Sequence, residues 1–284
     1  MISKFWRSQG TRWALACAAA AGLYTAAVVA LGFEVEGIEY PITEAALTVG
    51  TGLLLGMRLN FAYDRWWEAR KLWGTLVNVS RNLAVKISAF VRPAKDEARE
   101  VATAIAGFAF ALNEHLRDGA SLRRVPGFED RIEDPEHVPV WLVGRIYDRI
   151  HAWREGGLLI PQEARIIDEE ARMMLDVCGA CERIRNTPMP PSLAVLTRIV
   201  MGLALIVLPT VLIPRLGWWS VAASAGITFF FSVVETTASV VEHPFGTDPN
   251  QLDLDRMCAV IRDTTSEALL SVVNPQSKNS VAKK

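Results

Sequence analysis

The residues whose types and spacing are most suggestive lie between Ala45 and Asp64. Val49, Leu53 and Met57 recur every fourth residue, so a helix would carry them as one apolar row. Such a row packs against a neighbouring helix of the same chain. Alternatively, where copies surround an axis, it lines a narrow hydrophobic throat that gates by dewetting. Gly50, Gly52 and Gly56 fall on adjacent faces and permit close helix approach or local bending. Arg58, Asn60 and Asp64 follow. Polar groups at that place anchor a helix at a membrane edge or form a polar vestibule next to the throat. Trp66, Trp67 and Trp73 read as interface or packing aromatics that call for no cofactor.

Bond-making chemistry finds little support. Cys178 and Cys181 have C-x-x-C spacing but lie in one helical stretch with no second pair, which describes packed thiols. His115, His137, His151 and His243 show no metal-ligand spacing, so only tertiary proximity would assemble a site from them. No nucleophile elbow, P-loop or dinucleotide fingerprint is present. The expectation is therefore no enzyme, no cofactor and no metal.

The elements that must position these residues follow from composition. Hydrophobic residues make up 51% of the 284 and charged residues 21%, with a mean hydropathy of +0.21. A soluble domain of this length is rarely so apolar. Apolar and charged stretches alternate in blocks, as in membrane spans joined to an aqueous part. Lys and Arg (30) nearly balance Asp and Glu (31), so no basic field calls for nucleic acid. Four scattered cysteines make no disulfide framework.

Along the chain, Trp13 to Leu31 is uncharged, Ala-rich and long enough to span. It resembles a signal peptide in following Lys4, Arg7 and Arg12, but lacks a clear cleavage site and reads as a retained helix. The run from Ala45 to Met57 is too short to cross a hydrocarbon core of about 30 Å as a lipid-facing helix. It suits a helix lining a protein-walled, water-filled axis. No proline interrupts Glu44 to Val91, which predicts one long helix. Further helices are predicted over Glu97 to Arg117, Val140 to Trp153 and Pro161 to Ile184, with a polar loop over Asp118 to Pro139. Ile199 to Ile213, with Pro209 as a kink, is followed by a tight turn over Pro214 to Gly217 and a last span over Leu216 to Val234.

Spans are thus placed at about residues 13–31, 43–63, 196–213 and 216–236. Basic residues crowd before the first span and after the second. The loop between those two, with Glu34, Glu36 and Glu39, has none. The positive-inside rule then puts both termini and the regions 64–195 and 237–284 in the cytosol. The fold class expected is an all-α membrane protein with four transmembrane helices and a large cytosolic helical region.

Three segments resemble the bestrophin family. Gly56-Met-Arg-Leu-Asn-Phe-Ala-Tyr-Asp-Arg-Trp-Trp-Glu-Ala-Arg70, with Lys71-Leu-Trp-Gly74, is similar to the signature after the family's second helix. Cys181-Glu-Arg-Ile-Arg-Asn-Thr-Pro-Met-Pro190 and Glu242-His-Pro-Phe-Gly246 are similar to the family's segments before the third span and after the last. Their order and spacing extend the resemblance over most of the chain. It implies one channel domain over residues 1–284, in a bacterial inner membrane, and a homopentamer around a central pore whose partners are its own copies, lipid and permeant monovalent ions. It implies a hydrophobic neck, which counting back from the signature puts at Val49, Leu53 and Met57, the row found independently above. The family usually carries bulkier Ile and Phe there, so this neck is expected to gate differently. A second, cytosolic aperture best matches Ile160, with Leu159 as the alternative.

The ion expected is chloride, with a monovalent cation such as sodium as the alternative, because an apolar neck carries no charge to impose sign. From another class, a membrane-anchored helical interaction protein would also suit the long helix and the polar block. The eukaryotic relatives' calcium clasp, an acidic run after Pro-Phe-Gly, is thinned here to Asp248, with Asp253 and Asp255 displaced toward the next helix. Strong calcium gating is therefore not expected.

Overall fold

The computed structural model describes residues 9–32, 41–131 and 134–271. Lys4, Arg7 and the acidic stretch through Glu34, Glu36 and Glu39 lie outside them. Among the described residues the chain forms eight α-helices and one 3-10 turn, Leu122–Arg124. The helices are α1 (Gln9–Ala30), α2 (Pro41–Phe90), α3 (Lys95–Arg117), α4 (Val138–Glu155), α5 (Pro161–Asn186), α6 (Pro191–Leu216), α7 (Trp219–Val241) and α8 (Leu254–Leu270). The long second helix is unbroken, as the absence of proline predicts. One expectation needs correcting. Pro214 and Arg215 do not form a turn but close the last turn of α6, and the chain reverses only at Gly217, with φ of 52°. Pro214 gives up one i→i−4 hydrogen bond in the last turn of α6 without ending it, and Gly217 supplies the positive φ at which the chain reverses.

The chain divides into two compact units. The first holds α1, the part of α2 up to Trp67, α6 and α7. Its helices meet through small and hydroxylated residues. On α1 the buried face is Thr11, Ala14, Ala18, Gly22 and Thr25. On α7 it is Ser220, Ser224, Thr228, Ser232, Glu235 and Ala238. A methyl group at Gly10 would come within 3.2 Å of the Thr236 Cβ, so these two helices approach closely. Hydroxyls bond back to their own helix: Thr25 donates to the Ala21 carbonyl at 2.8 Å, Thr197 to Leu193 at 2.9 Å and Thr236 to Ser232 at 2.8 Å. This satisfies those three hydroxyls without water. Leu203, Ile206 and Phe230 point outward.

Among the described residues, three helices of this unit are long and apolar enough to cross a membrane: Gly10–Ala30, Ser192–Leu216 and Trp219–Val241. The stretch of α2 expected as the second of four spans is not among them. Its apolar run is short and Arg58 interrupts it.

The second unit holds the rest of α2, then α3, α4, α5 and α8. Its core is large and aliphatic or aromatic. Trp73, Leu76, Leu83 and Ile87 of α2 are buried, as are Ile105, Phe108 and Leu112 of α3, Leu142, Ile146 and Trp153 of α4, Ile167 and Met174 of α5, and Leu254 and Ile261 of α8. These recur at three- and four-residue intervals, the stripe by which a helix buries one face in water.

Candidate functional site

The geometry of the first unit's stretch of α2 follows from a rotation of about 100° per residue. Thr51, Leu55, Arg58 and Ala62 share one side and are buried. Val49, Leu53 and Met57 share the opposite side and are 68%, 63% and 43% exposed. A methyl group at Gly50, Gly52 or Gly56 would meet nothing within 4 Å. Among the described residues this apolar row is left exposed. Asn60 and Asp64 continue the same face, and the Asn60 amide donates to the Asp64 carboxylate at 3.5 Å. Tyr63, Trp66 and Trp67 stack with ring centroids 6.2–6.4 Å apart.

Arg58 parts company with Asn60 and Asp64. One residue past Met57, it is rotated to the buried side and is 2% exposed. Its Nε donates to Glu235 Oε2 at 2.7 Å, its Nη1 to the Met189 sulfur at 3.1 Å, and its Nη2 lies 3.3 Å from Glu242 Oε2. The Met189 N–H donates to Glu242 Oε1 at 3.2 Å, and Arg65 Nε donates to the Glu242 carbonyl at 3.1 Å. Arg198 Nε lies 3.5 Å from Glu235 Oε1, an ion pair without hydrogen-bond geometry. Two cations thus face two carboxylates inside the unit, and the Arg58 charge is spent within the chain. All three segments that carry the bestrophin resemblance meet here, through Arg58 and Arg65, Met189, and Glu242. The sequence signal for this cluster was Glu235 itself, an ionisable residue within an apolar span.

In the second unit, Ile160 is 55% exposed just before α5, and its N–H donates to the Glu163 carboxylate at 3.3 Å. Leu159 is 3% exposed, a core residue. Cys178 and Cys181 are free and buried. Burial first, and then the neighbouring Glu182 carboxylate, pushes the Cys178 thiol up to about 12, which suits a packed, unreactive group. Asp253 accepts from the Arg256 N–H at 3.1 Å and caps α8, and Asp255 pairs with Arg117 and accepts from Asn113 at 2.7 Å. Asp248 accepts from the Asn250 N–H at 2.9 Å.

The structure also brings together residues that spacing kept apart. His115, at the end of α3, and His137, just before α4, both direct Nε2 at Glu182 Oε1 on α5, at 2.8 and 2.7 Å. Burial pushes the Glu182 carboxyl up, but hydrogen bonds from His137 and His115 outweigh it and hold the group below the usual carboxylate range.

The family model described as Bacterial/Fungal Bestrophin protein matches residues 5–267. The voltage-dependent anion channel-forming protein mll4386 of Mesorhizobium japonicum is 34% identical over 257 residues, covering 87% of this chain and 82% of its own. The voltage-dependent anion channel-forming protein alr2987 of Nostoc is 32% identical over 239 residues, 79% of this chain and 76% of its own. A crystal structure of a point-mutated bacterial bestrophin homologue from Klebsiella pneumoniae has the same fold: TM-score 0.81 at 22% identity, covering 90% of this chain and 98% of that one. The relatives are named for forming channels, not for catalysing a reaction, and this chain is a membrane protein and not an enzyme. It belongs to the bacterial and fungal bestrophin family.

Proposed function

We propose that the chain is the subunit of an anion channel, a homopentamer around a central pore, with Val49, Leu53 and Met57 as its hydrophobic neck. The observation that carries this reading is the unpartnered row on α2. Three large apolar side chains stand open along one face of a helix that buries Thr51, Leu55, Arg58 and Ala62 on the other, and three glycines beside them meet nothing within 4 Å. Copies of the same chain meeting around an axis would cover that face, and a helix interrupted by Arg58 is suited to a protein-walled axis rather than to lipid. α2 then supplies the second of four spans, at about residues 43–63, and residues 1–284 act as one channel domain. Both termini and the regions 64–195 and 237–284 are cytosolic, and the membrane is the bacterial inner membrane. Asn60 and Asp64 form the vestibule next to the neck. Arg58 serves as a buried tie between helices. Ile160 lines the cytosolic aperture, and its exposure, against the burial of Leu159, supports that choice.

The partners are further copies of the chain, lipid and permeant monovalent ions. Relatives named as anion channel-forming proteins support an anion, with chloride the ion meant. One observation favours a second reading, a monovalent cation such as sodium: Asp64 lies on the open face, while Arg58 is neutralised by Glu235 and Glu242. The deciding experiment is the reversal potential of purified protein in planar bilayers with asymmetric NaCl. A reversal near the chloride equilibrium potential is expected. One near that of sodium overturns the anion reading. A stable membrane protein that passes no current favours a membrane-anchored helical interaction protein instead.

A further inference from the structure

His115, His137 and Glu182 come from three segments of the second unit, yet one donor atom from each lies within 4.8 Å of the other two. Both imidazoles address the same carboxylate oxygen, and their ring centroids are 4.6 Å apart. Two ring nitrogens and one carboxylate oxygen are the donor set of a borderline metal ion such as zinc. Calcium fits poorly, because it requires six to eight oxygens. We propose that His115 Nε2, His137 Nε2 and a Glu182 carboxylate oxygen form a binding site for a divalent transition-metal ion of the zinc class.

The distances suit this occupant. Metal–ligand bonds of about 2.0–2.2 Å in a tetrahedron place the donors roughly 3.3 Å apart. The two N···O separations of 2.7 and 2.8 Å need to open by only about half an ångström, a small rotation of surface side chains. Their side chains are 24%, 34% and 28% exposed, so an ion enters from solvent and a water completes the tetrahedron. Cys178 Sγ, one helical turn before Glu182, lies 3.8 Å from its Oε1 and stays a protonated, packed thiol.

One contact opposes binding. The Val140 N–H points at His137 Nδ1 at 3.3 Å, so that nitrogen offers a lone pair and Nε2 carries the proton donated to Glu182. A metal at Nε2 transfers that proton through solvent to Nδ1, and the Val140 N–H loses its cap. Val140 is 46% exposed, so water replaces the imidazole there. The exchange gives up one long hydrogen bond for a metal–nitrogen bond.

The test uses the full chain, free of any histidine tag, purified in detergent and stripped with chelator. Zinc is titrated by calorimetry, with magnesium as control, and cobalt is added as a spectroscopic probe. His137→Asn removes the imidazole but keeps a good helix-capping side chain. Glu182→Gln keeps an acceptor for both imidazole N–H groups. The expected result is one zinc per chain, a raised Tm, and the visible absorption of tetrahedral cobalt. Affinity should fall by roughly tenfold or more in each variant, since losing a ligand costs no less than losing its supporting partner. Zinc binding of equal strength in wild type and both variants overturns the site. So does wild-type protein that takes up no more zinc than magnesium.

Discussion

The first unit buries hydroxyls and charges and leaves apolar side chains outside; the second does the reverse. Only 11% of the α6 span is buried, and the buried face of α7 is Ser220, Ser224, Thr228, Ser232 and Glu235. In α3, by contrast, the buried face runs from Val101 through Ile105, Phe108 and Leu112 to Leu116. The same helical periodicity serves both units, and the solvent decides which face turns inward. Water drives the second unit to hide its large side chains. Lipid gives no such drive, so in the first unit the helices are held by close packing of small residues and by the buried Arg58–Glu235 ion pair.

Charge removal should separate the units most strongly. Arg58→Leu leaves Glu235 and Glu242 buried without their partner and should cost about 3–5 kcal/mol. Arg183→Leu in the second unit breaks an ion pair with Glu68 that is open to water and should cost about 0–1 kcal/mol. Melting of both variants in detergent tests this. Combining Arg58→Leu with Glu235→Gln and Glu242→Gln should recover much of the loss. If Arg58→Leu melts like wild type, the buried network is not what joins α2 to α7.

Truncation of large apolar residues should separate them in the opposite sense. Phe108→Ala should cost about 3–5 kcal/mol in the second unit. Leu203→Ala, on the outward face of α6, should stay within about 0.5 kcal/mol. A clear loss at Leu203 would show that this face packs against another subunit rather than lipid.

Variants of the proposed neck probe an apolar row that neither rule accounts for among the described residues. Val49→Ala, Leu53→Ala and Met57→Ala together should widen and wet the throat, raising ion flux from liposomes severalfold while the melting temperature barely moves. Unchanged flux with assembly intact would reduce the row to helix packing. The smallest effect expected is that of calcium. Asp253 caps α8, Asp255 pairs with Arg117, and Asp248 accepts a turn N–H, so their carboxylates are already engaged. Current in chelator and in micromolar calcium should match. A rise with calcium, lost in Asp248→Ala, would show a clasp after all.

Helix positions were legible from sequence because periodicity and proline placement are local. Pro161 marks the start of α5, and the proline-free run from Glu44 matches α2 within a few residues. The row at Val49, Leu53 and Met57 was legible for the same reason. The separation of Arg58 from Asn60 and Asp64 was also available from helical rotation, but nearness in sequence suggested one vestibule.

By itself the sequence determined that the chain is helical, that three stretches are apolar enough for a membrane, and which face of α2 is an uninterrupted apolar row. Those are properties of neighbouring residues, set by about 3.6 residues per turn and by side-chain solvation. Only the tertiary structure decided the partners. Arg58 and Glu235 are 177 residues apart, and His115 and Glu182 are 67 apart. No local rule selects one glutamate among many for a given cation or imidazole. That selection is made when whole helices pack, because a buried charge or ring nitrogen must find a partner from whichever segment the packing brings within about 3 Å.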